Sequence, residues 1–261
     1  MVRLGGLEPP KTLTKSVSDL DPKGGELCLF AHSRITNYTK NQEKDQVIER
    51  PVNIHMKTLH ELNEELKAQF GETSLDFTDK SADTGHSYLP FYEKYFEPRR
   101  TDEIRMLEIG ISIGGSAYLW SKYFTDFDYY SFDIAGGYAV RRPFQEEIEK
   151  DKRISLYWGC SAFDPELAAQ FGDETMDFII DDGDHRANSQ WNTFQNYWPR
   201  LAKGGVYFIE DVVNTATAES FIPHLENYLK GRGEQFEIDT YYGKRIAEGR
   251  LDDIIIAIKR L

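Results

Sequence analysis

From residue 104 onward, short apolar runs alternate with amphipathic stretches, and this alternation constrains the fold more than any other feature of the chain. The runs are IRMLEIG (104–110), YYSFDI (129–134), RISLYW (153–158), DFII (177–180) and VYFIE (206–210). Each is strand-sized, and helical segments lie between them near 115–124, 143–150, 163–171 and 187–201. In the last of these, Trp191, Phe194, Trp198 and Leu201 share one face, as in a helix packed on a sheet, and Lys203-Gly204-Gly205 reads as its stop. A further helix near 217–230 precedes FEIDTYY (236–242) and IIIAIK (254–259), two strand-like runs in succession. Repeated βα units closed by two consecutive strands predict an α/β fold. The expected form is a Rossmann-like, doubly wound, seven-stranded, mostly parallel sheet with an antiparallel edge strand.

The first 55 residues differ from the rest. They carry Pro9-Pro10, Gly24-Gly25 and scattered charges without a sustained period, a composition that cannot offset the entropy of ordering. They are expected to be a disordered arm or a non-native extension. Met56 then opens a helical pattern of Leu59, Leu62, Leu66 and Phe70. Residues 56–261 are expected to form one domain, with a helical lid at 56–100 and a core at 101–261. A formal net charge of −13 argues against nucleic acid or an anionic membrane as a partner. Cys28 and Cys160 show neither metal-ligand spacing nor a disulfide framework, which suits a reducing compartment. No apolar stretch is long enough for a transmembrane helix, and no leader pattern opens the chain, so a cytoplasmic protein is expected.

Two acidic motifs follow strand-like runs. Asp181-Asp182-Gly183-Asp184-His185 comes directly after DFII, and Glu210-Asp211 ends VYFIE. Strand ends on one edge of a parallel sheet lie side by side, and ligands bind there. Carboxylates brought together repel unless something positive sits among them. A hard divalent cation with oxygen ligands is the simplest such group, with His185 as a base beside it. Taken alone, DDGDH is equally a solvated turn in which Asp184 caps the following helix. The second acidic pair on the neighbouring strand favours a site.

The first strand leads into Glu108-Ile109-Gly110-Ile111-Ser112-Ile113-Gly114-Gly115-Ser116. A phosphate loop would need a lysine after the last glycine, and a dinucleotide fingerprint would need glycine where Ser112 stands. The observed spacing resembles motif I of the class I S-adenosylmethionine methyltransferases. Asp133 ends the second strand, where a carboxylate can accept hydrogen bonds from ribose hydroxyls. Gly159-Cys160-Ser161 ends the third, where small residues border an adenine.

DDGDH, the later Glu210-Asp211 pair and the segment Thr78-Asp79-Lys80…His86-Ser87-Tyr88-Leu89-Pro90-Phe91-Tyr92 together narrow the resemblance. They look like the mycinamicin/macrocin sugar O-methyltransferases, which share features with the cephalosporin hydroxylase/rhamnosyl O-methyltransferase-like family. The similarity spans roughly residues 75–215. It implies magnesium, or another divalent cation, on Asp182, Glu210 and Asp211, with His185 as general base. It also implies an S-adenosyl-L-methionine site built from Glu108, Gly110, Gly114, Gly115, Ser116, Asp133, Ser161 and Asp181. Lys80 and Tyr88 either cover that site from the N-terminal side or belong to an ordinary amphipathic lid. Asp184 replaces the serine usual in the family motif. The implied activity is methyl transfer to a hydroxyl of a sugar or glycosylated small molecule, in a chain whose relatives commonly self-associate. A phenol or catechol O-methyltransferase, an NAD-dependent oxidoreductase and a non-catalytic cofactor-binding subunit are the alternatives.

Overall fold

Helix α1 (Leu59–Phe70) opens the described part of the chain with a reciprocal cap. Thr58 accepts from the Glu61 backbone, while the Glu61 side chain accepts from the Thr58 backbone, which satisfies donors that a first turn leaves unpaired. The computed structural model describes residues 56–71, 76–81, 85–138 and 140–261, so the expectation for residues 1–55 lies outside the described residues. A second helix, α2 (Leu89–Phe96), begins with Pro90 in its first turn, where a missing N–H costs nothing.

Seven strands then form one sheet: β1 (Glu103–Ile109), β2 (Asp126–Asp133), β3 (Ile154–Trp158), β4 (Met176–Asp181), β5 (Leu201–Ile209), β6 (Phe236–Tyr242) and β7 (Ile254–Arg260). Their spatial order is β3-β2-β1-β4-β5-β7-β6. Pairing is parallel from β3 through β5, and β7 runs antiparallel to both β5 and β6. The strand order reverses between β1 and β4, which marks the edge outside these two strands as the ligand crevice.

Alternation along each strand sorts side chains onto two faces. Met106, Phe178, Ile180 and Phe208 point to the face covered by α1, α2 and α3 (Gly115–Tyr123). Leu107, Ile109, Ile179 and Ile209 point to the other, with α6 (Ala187–Tyr197) and α7 (Thr215–Gly231). Between these helices lie the short α4 (Gln145–Lys150) and α5 (Pro165–Ala169). Tyr92 and Phe96 of α2 are fully buried against Phe208, so α1 and α2 complete one layer of the core.

One sequence expectation needs correction. Lys203-Gly204-Gly205 does not end a helix: α6 stops at Tyr197, a 3-10 turn follows at Trp198–Arg200, and β5 already runs through all three residues. Gly204 sits at φ +80, beside an irregular register between β4 and β5, so the glycines accommodate a strand irregularity.

Candidate active site

The ends of β1, β2, β3 and β4 and the segment before α2 enclose a cavity of about 610 Å³. Its wall includes Phe77–Lys80, the loop 109–113 with Gly115 and Ser116, Phe132–Ile134, Cys160–Phe163 and Asp182–Arg186. The glycines of the loop permit two close backbone approaches. At Gly110 (φ +102), a Cβ would stand 2.2 Å from the Asp182 carbonyl oxygen. At Gly115, a Cβ would stand 1.6 Å from the Phe77 carbonyl oxygen. The first contact joins the β1 and β4 edges, and the second brings the 77–80 segment over the start of α3.

Asp133 lines the cavity and braces this loop. Its Oδ2 accepts from the Ile111 and Ser112 backbone N–H groups at 2.9 and 3.3 Å, and Oδ1 accepts from Ala135 N at 2.8 Å. Ser161 also lines the cavity. Gly114 holds the left-handed turn before α3 without reaching the lining. Glu108 is fully buried and lies outside the lining. It accepts from Trp120 Nε1 at 2.9 Å and from the Tyr129 hydroxyl at 2.8 Å, and burial pushes its carboxyl up.

Asp181 does not reach the cavity, contrary to its placement among the cofactor residues. Alternation along β4 turns it to the opposite face from Asp182, and burial pushes it up to about 8. Tyr88 is likewise absent from the wall. Its buried hydroxyl donates to Asp211 Oδ1 at 2.8 Å and lies 2.9 Å from the Asp252 carbonyl oxygen. It thus supports an acidic side chain from behind.

Lys80 lines the cavity, but its ammonium ends among the acids. Nζ donates to Asp182 Oδ2 at 2.8 Å and to both Glu210 oxygens at 2.8 and 2.7 Å, with Glu108 Oε1 at 3.6 Å. Burial favours its neutral form, yet Asp182, Glu210 and Glu108 outweigh burial and raise it well above the usual lysine value. Asp182 shows the converse. Burial pushes it up, and Lys80 with His185 holds it below the usual carboxylate range.

Asp182 and His185 line the cavity and meet Asp211, which lies outside its wall, with the nearest ligand atoms of all three within 4.8 Å of one another. His185 lies between the two carboxylates, with Nε2 3.4 Å from Asp182 Oδ1 and Nδ1 3.4 Å from Asp211 Oδ2. The Asp182 carboxylate beside it, with Asp211, raises its imidazole to about 9 against the opposing effect of burial. Asp211 reaches this position because its backbone is left-handed, at φ +52. Two carboxylates and an imidazole around one gap are a donor set that suits a divalent cation. Asp184 stands apart, bonded to Arg186 and Ser189. Among the described residues a second group, His86, Asp211 and Asp252, has the same closeness, but Arg250 already supplies a cation there.

Reading the sequence missed three contributors. Tyr92 donates to Glu210, Arg250 contacts His86, and fully buried Asp253 accepts from Ser87 N and Oγ at 2.8 Å each. The spacing of Tyr88 and Tyr92, four residues apart on one helical face, is a signal that could have found the first.

Residues 107–212 match the family model described as a methyltransferase domain. An 8-demethyl-8-alpha-L-rhamnosyl tetracenomycin-C 2'-O-methyltransferase from Streptomyces olivaceus is 30% identical over 136 residues, covering 49% of this chain and 33% of that protein. A demethylmacrocin O-methyltransferase from Streptomyces fradiae is 32% identical over 138 residues, covering 49% of this chain and 32% of that protein. The chain thus spans about a third of the length of these curated relatives. Among solved structures it is similar to the MycE methyltransferase of the mycinamycin biosynthetic pathway in complex with Mg and SAH. The TM-score is 0.56 at 20% identity, over 75% of this chain and 53% of that one. The resemblance read from the glycine loop and the acidic motifs is borne out, and the fold is the Rossmann-like fold of methyltransferases. Among the described residues, no helix is long and apolar enough to cross a membrane.

Proposed function

We propose that this chain is a metal-assisted O-methyltransferase that moves a methyl group from S-adenosylmethionine to a hydroxyl of a sugar or glycosylated small molecule. One observation carries the reading: Asp182 and His185 line the same cavity as the glycine loop, and Asp211 meets them just behind that wall. The names of the curated relatives supply the substrate class.

The loop backbone at Gly110 and Gly115, with Asp133 beside it, forms the wall for the methyl donor. Asp133 offers carboxylate oxygens to a ribose while bracing the loop. Small side chains at Cys160, Ser161 and Ala162 border the adenine end. The bound donor supplies a methyl group on a sulfonium, and a divalent cation on Asp182 and Asp211 supplies Lewis acidity toward the substrate oxygen. His185 takes the hydroxyl proton at a ring nitrogen, for which an imidazole near its ordinary value is suited. Both carboxylates beside it favour its charged form, so charge compensation at Asp182 and Asp211 is what returns the ring to a base. Walls that fixed a donor and an acceptor side by side in this cavity would lower the entropic part of the barrier. With a net charge of −13, the chain disfavours nucleic acid and anionic membrane, which leaves small molecules as its substrates.

Transfer of labelled methyl from S-adenosylmethionine to a panel of rhamnosyl and macrolide glycosides, with magnesium or with EDTA, tests this. Turnover of a glycoside only with magnesium is expected. Turnover of catechols alone would replace the substrate class, and full turnover in EDTA would remove the metal.

A further inference from the structure

The donor cavity uses only half of the sheet's carboxyl edge. On the other half β5, β6 and β7 meet. Tyr242, the last residue of β6, pairs with Ile254, the first of β7, and the Val212 N–H donates to the Ile254 carbonyl oxygen at 3.1 Å. Around this junction three large apolar side chains face solvent: Val213 and Tyr242, each 44% exposed, and Leu251, 62% exposed. None of them lines the cavity. A single exposed apolar residue is ordinary, but three at the ends of adjoining strands mark a contact surface.

The loop between β6 and β7 does not swing freely, because the segment before α2 latches it to the acidic edge. Fully buried Asp253 accepts from Ser87 N and Oγ at 2.8 Å each and from Arg245 N at 3.0 Å. Arg245 donates in turn to the Gly85 carbonyl oxygen at 2.7 Å, and the Tyr88 hydroxyl donates to that of Asp252 at 2.9 Å. Leu251 therefore stands between two anchored residues. Arg250 lies against His86, and a carboxylate oxygen of Asp252 comes within 4.8 Å of one of Asp211. Val213 follows Asp211 by two residues, so the apolar side chains flank the carboxylate that reaches His185.

We infer that Val213, Tyr242 and Leu251 form the rest for an apolar aglycone on a glycosylated acceptor, and that Leu251 selects for it. This deepens the function proposed above and rests on its sugar-acceptor reading. The donor fills the cavity on the side of β1 to β4, and only one acceptor hydroxyl has to reach His185. The bulk of the acceptor then lies outside the cavity, across Asp211 toward β7, where the apolar side chains stand. A sugar ring offers them little apolar surface, whereas an aromatic or macrocyclic aglycone covers them and removes that surface from water.

The test compares labelled methyl transfer to naphthyl rhamnoside and to methyl rhamnoside, in the full chain and in its Leu251→Asn variant. The ratio of kcat/KM for the naphthyl over the methyl glycoside is expected to fall about tenfold, the low end of what one apolar contact contributes to discrimination. A ratio within about twofold of that of the unsubstituted chain, the spread of ordinary surface substitutions, would overturn the assignment. A second arm needs no turnover: naphthyl rhamnoside is titrated into the full chain holding S-adenosylhomocysteine, with isotopically labelled leucine and valine methyls read by NMR. Saturable shifts at Leu251 and Val213 are expected. Shifts confined to other methyls, or none at all, would overturn the surface. Saturable shifts at Leu251 and Val213 without turnover of either glycoside would support the surface and remove the transferase reading, whereas turnover with an unaltered ratio would keep that reading and remove the surface.

Discussion

Replacing Gly115 with alanine probes the joint between the glycine loop and the segment that delivers Lys80. The added Cβ would stand 1.6 Å from the Phe77 carbonyl oxygen and 3.1 Å from Thr78 N. Ordinary contact begins at 3.4 Å, so the 77–78 backbone must retreat by about 1.8 Å or α3 must shift by as much. Backbone cannot rotate away as a side-chain tip can, which puts the cost near the top of the overpacking range, about 3 kcal/mol. At about 2–4 °C per kcal/mol for a chain of this size, the melting temperature should fall by about 6–12 °C. The same displacement moves Phe77–Lys80, part of the cavity wall, so affinity for S-adenosylhomocysteine should fall with it. Gly136→Ala serves as control, because a Cβ there meets nothing within 4 Å, and it should shift melting by less than about 2 °C. Differential scanning calorimetry with calorimetric titration of the nucleoside reads both effects. If Gly115→Ala melts and binds as the control does, the 77–80 segment does not rest on the first turn of α3, and the account of the loop fails.

Other perturbations address the acidic edge. His185→Ala should lower kcat by about 10²–10⁴-fold, as loss of a general base does, while calorimetry shows unchanged nucleoside binding; lost nucleoside binding would contradict the role. In EDTA the His185 ring should titrate near about 9 by proton NMR, above the ordinary 6.5. Because the folded value is raised, its stabilising contribution should be complete below about pH 6.5 and be lost as pH rises through about 9. A midpoint at or below 6.5 would show that the carboxylates do not hold the ring charged. Tyr88→Phe removes a buried hydroxyl from Asp211 and should cost about 1–3 kcal/mol in urea unfolding; a loss under about 0.5 kcal/mol would mean that Asp211 does not depend on it.

The sheet was legible in the sequence because strand runs and helical stretches alternate with little interruption between Ile104 and Lys259. FEIDTYY matches β6 residue for residue. Gly110, Gly115, Asp133 and Asp182 were legible for a related reason, since strand ends locate a crevice. Asp181 was misplaced although the information was present: adjacent residues on a strand face opposite ways, so a DD pair cannot send both side chains into one cavity. Alternation also separates Glu210 from Asp211. The left-handed turn that then aims Asp211 at His185 has no signal in a non-glycine residue. Lys80 reaches Asp182 and Glu210 across 102 and 130 positions of sequence, and no local pattern reports such a meeting. Lys203-Gly204-Gly205 misled because a glycine pair serves a strand irregularity as well as a helix stop.

The most direct test of the central claim is calorimetric titration of S-adenosylhomocysteine into the full chain, with NAD as the control ligand. The cavity built by the Gly110–Ser116 loop and Asp133 should bind the nucleoside at micromolar concentrations and give no heat with NAD. Heat from NAD with none from the nucleoside, in a folded sample, would contradict the methyltransferase reading.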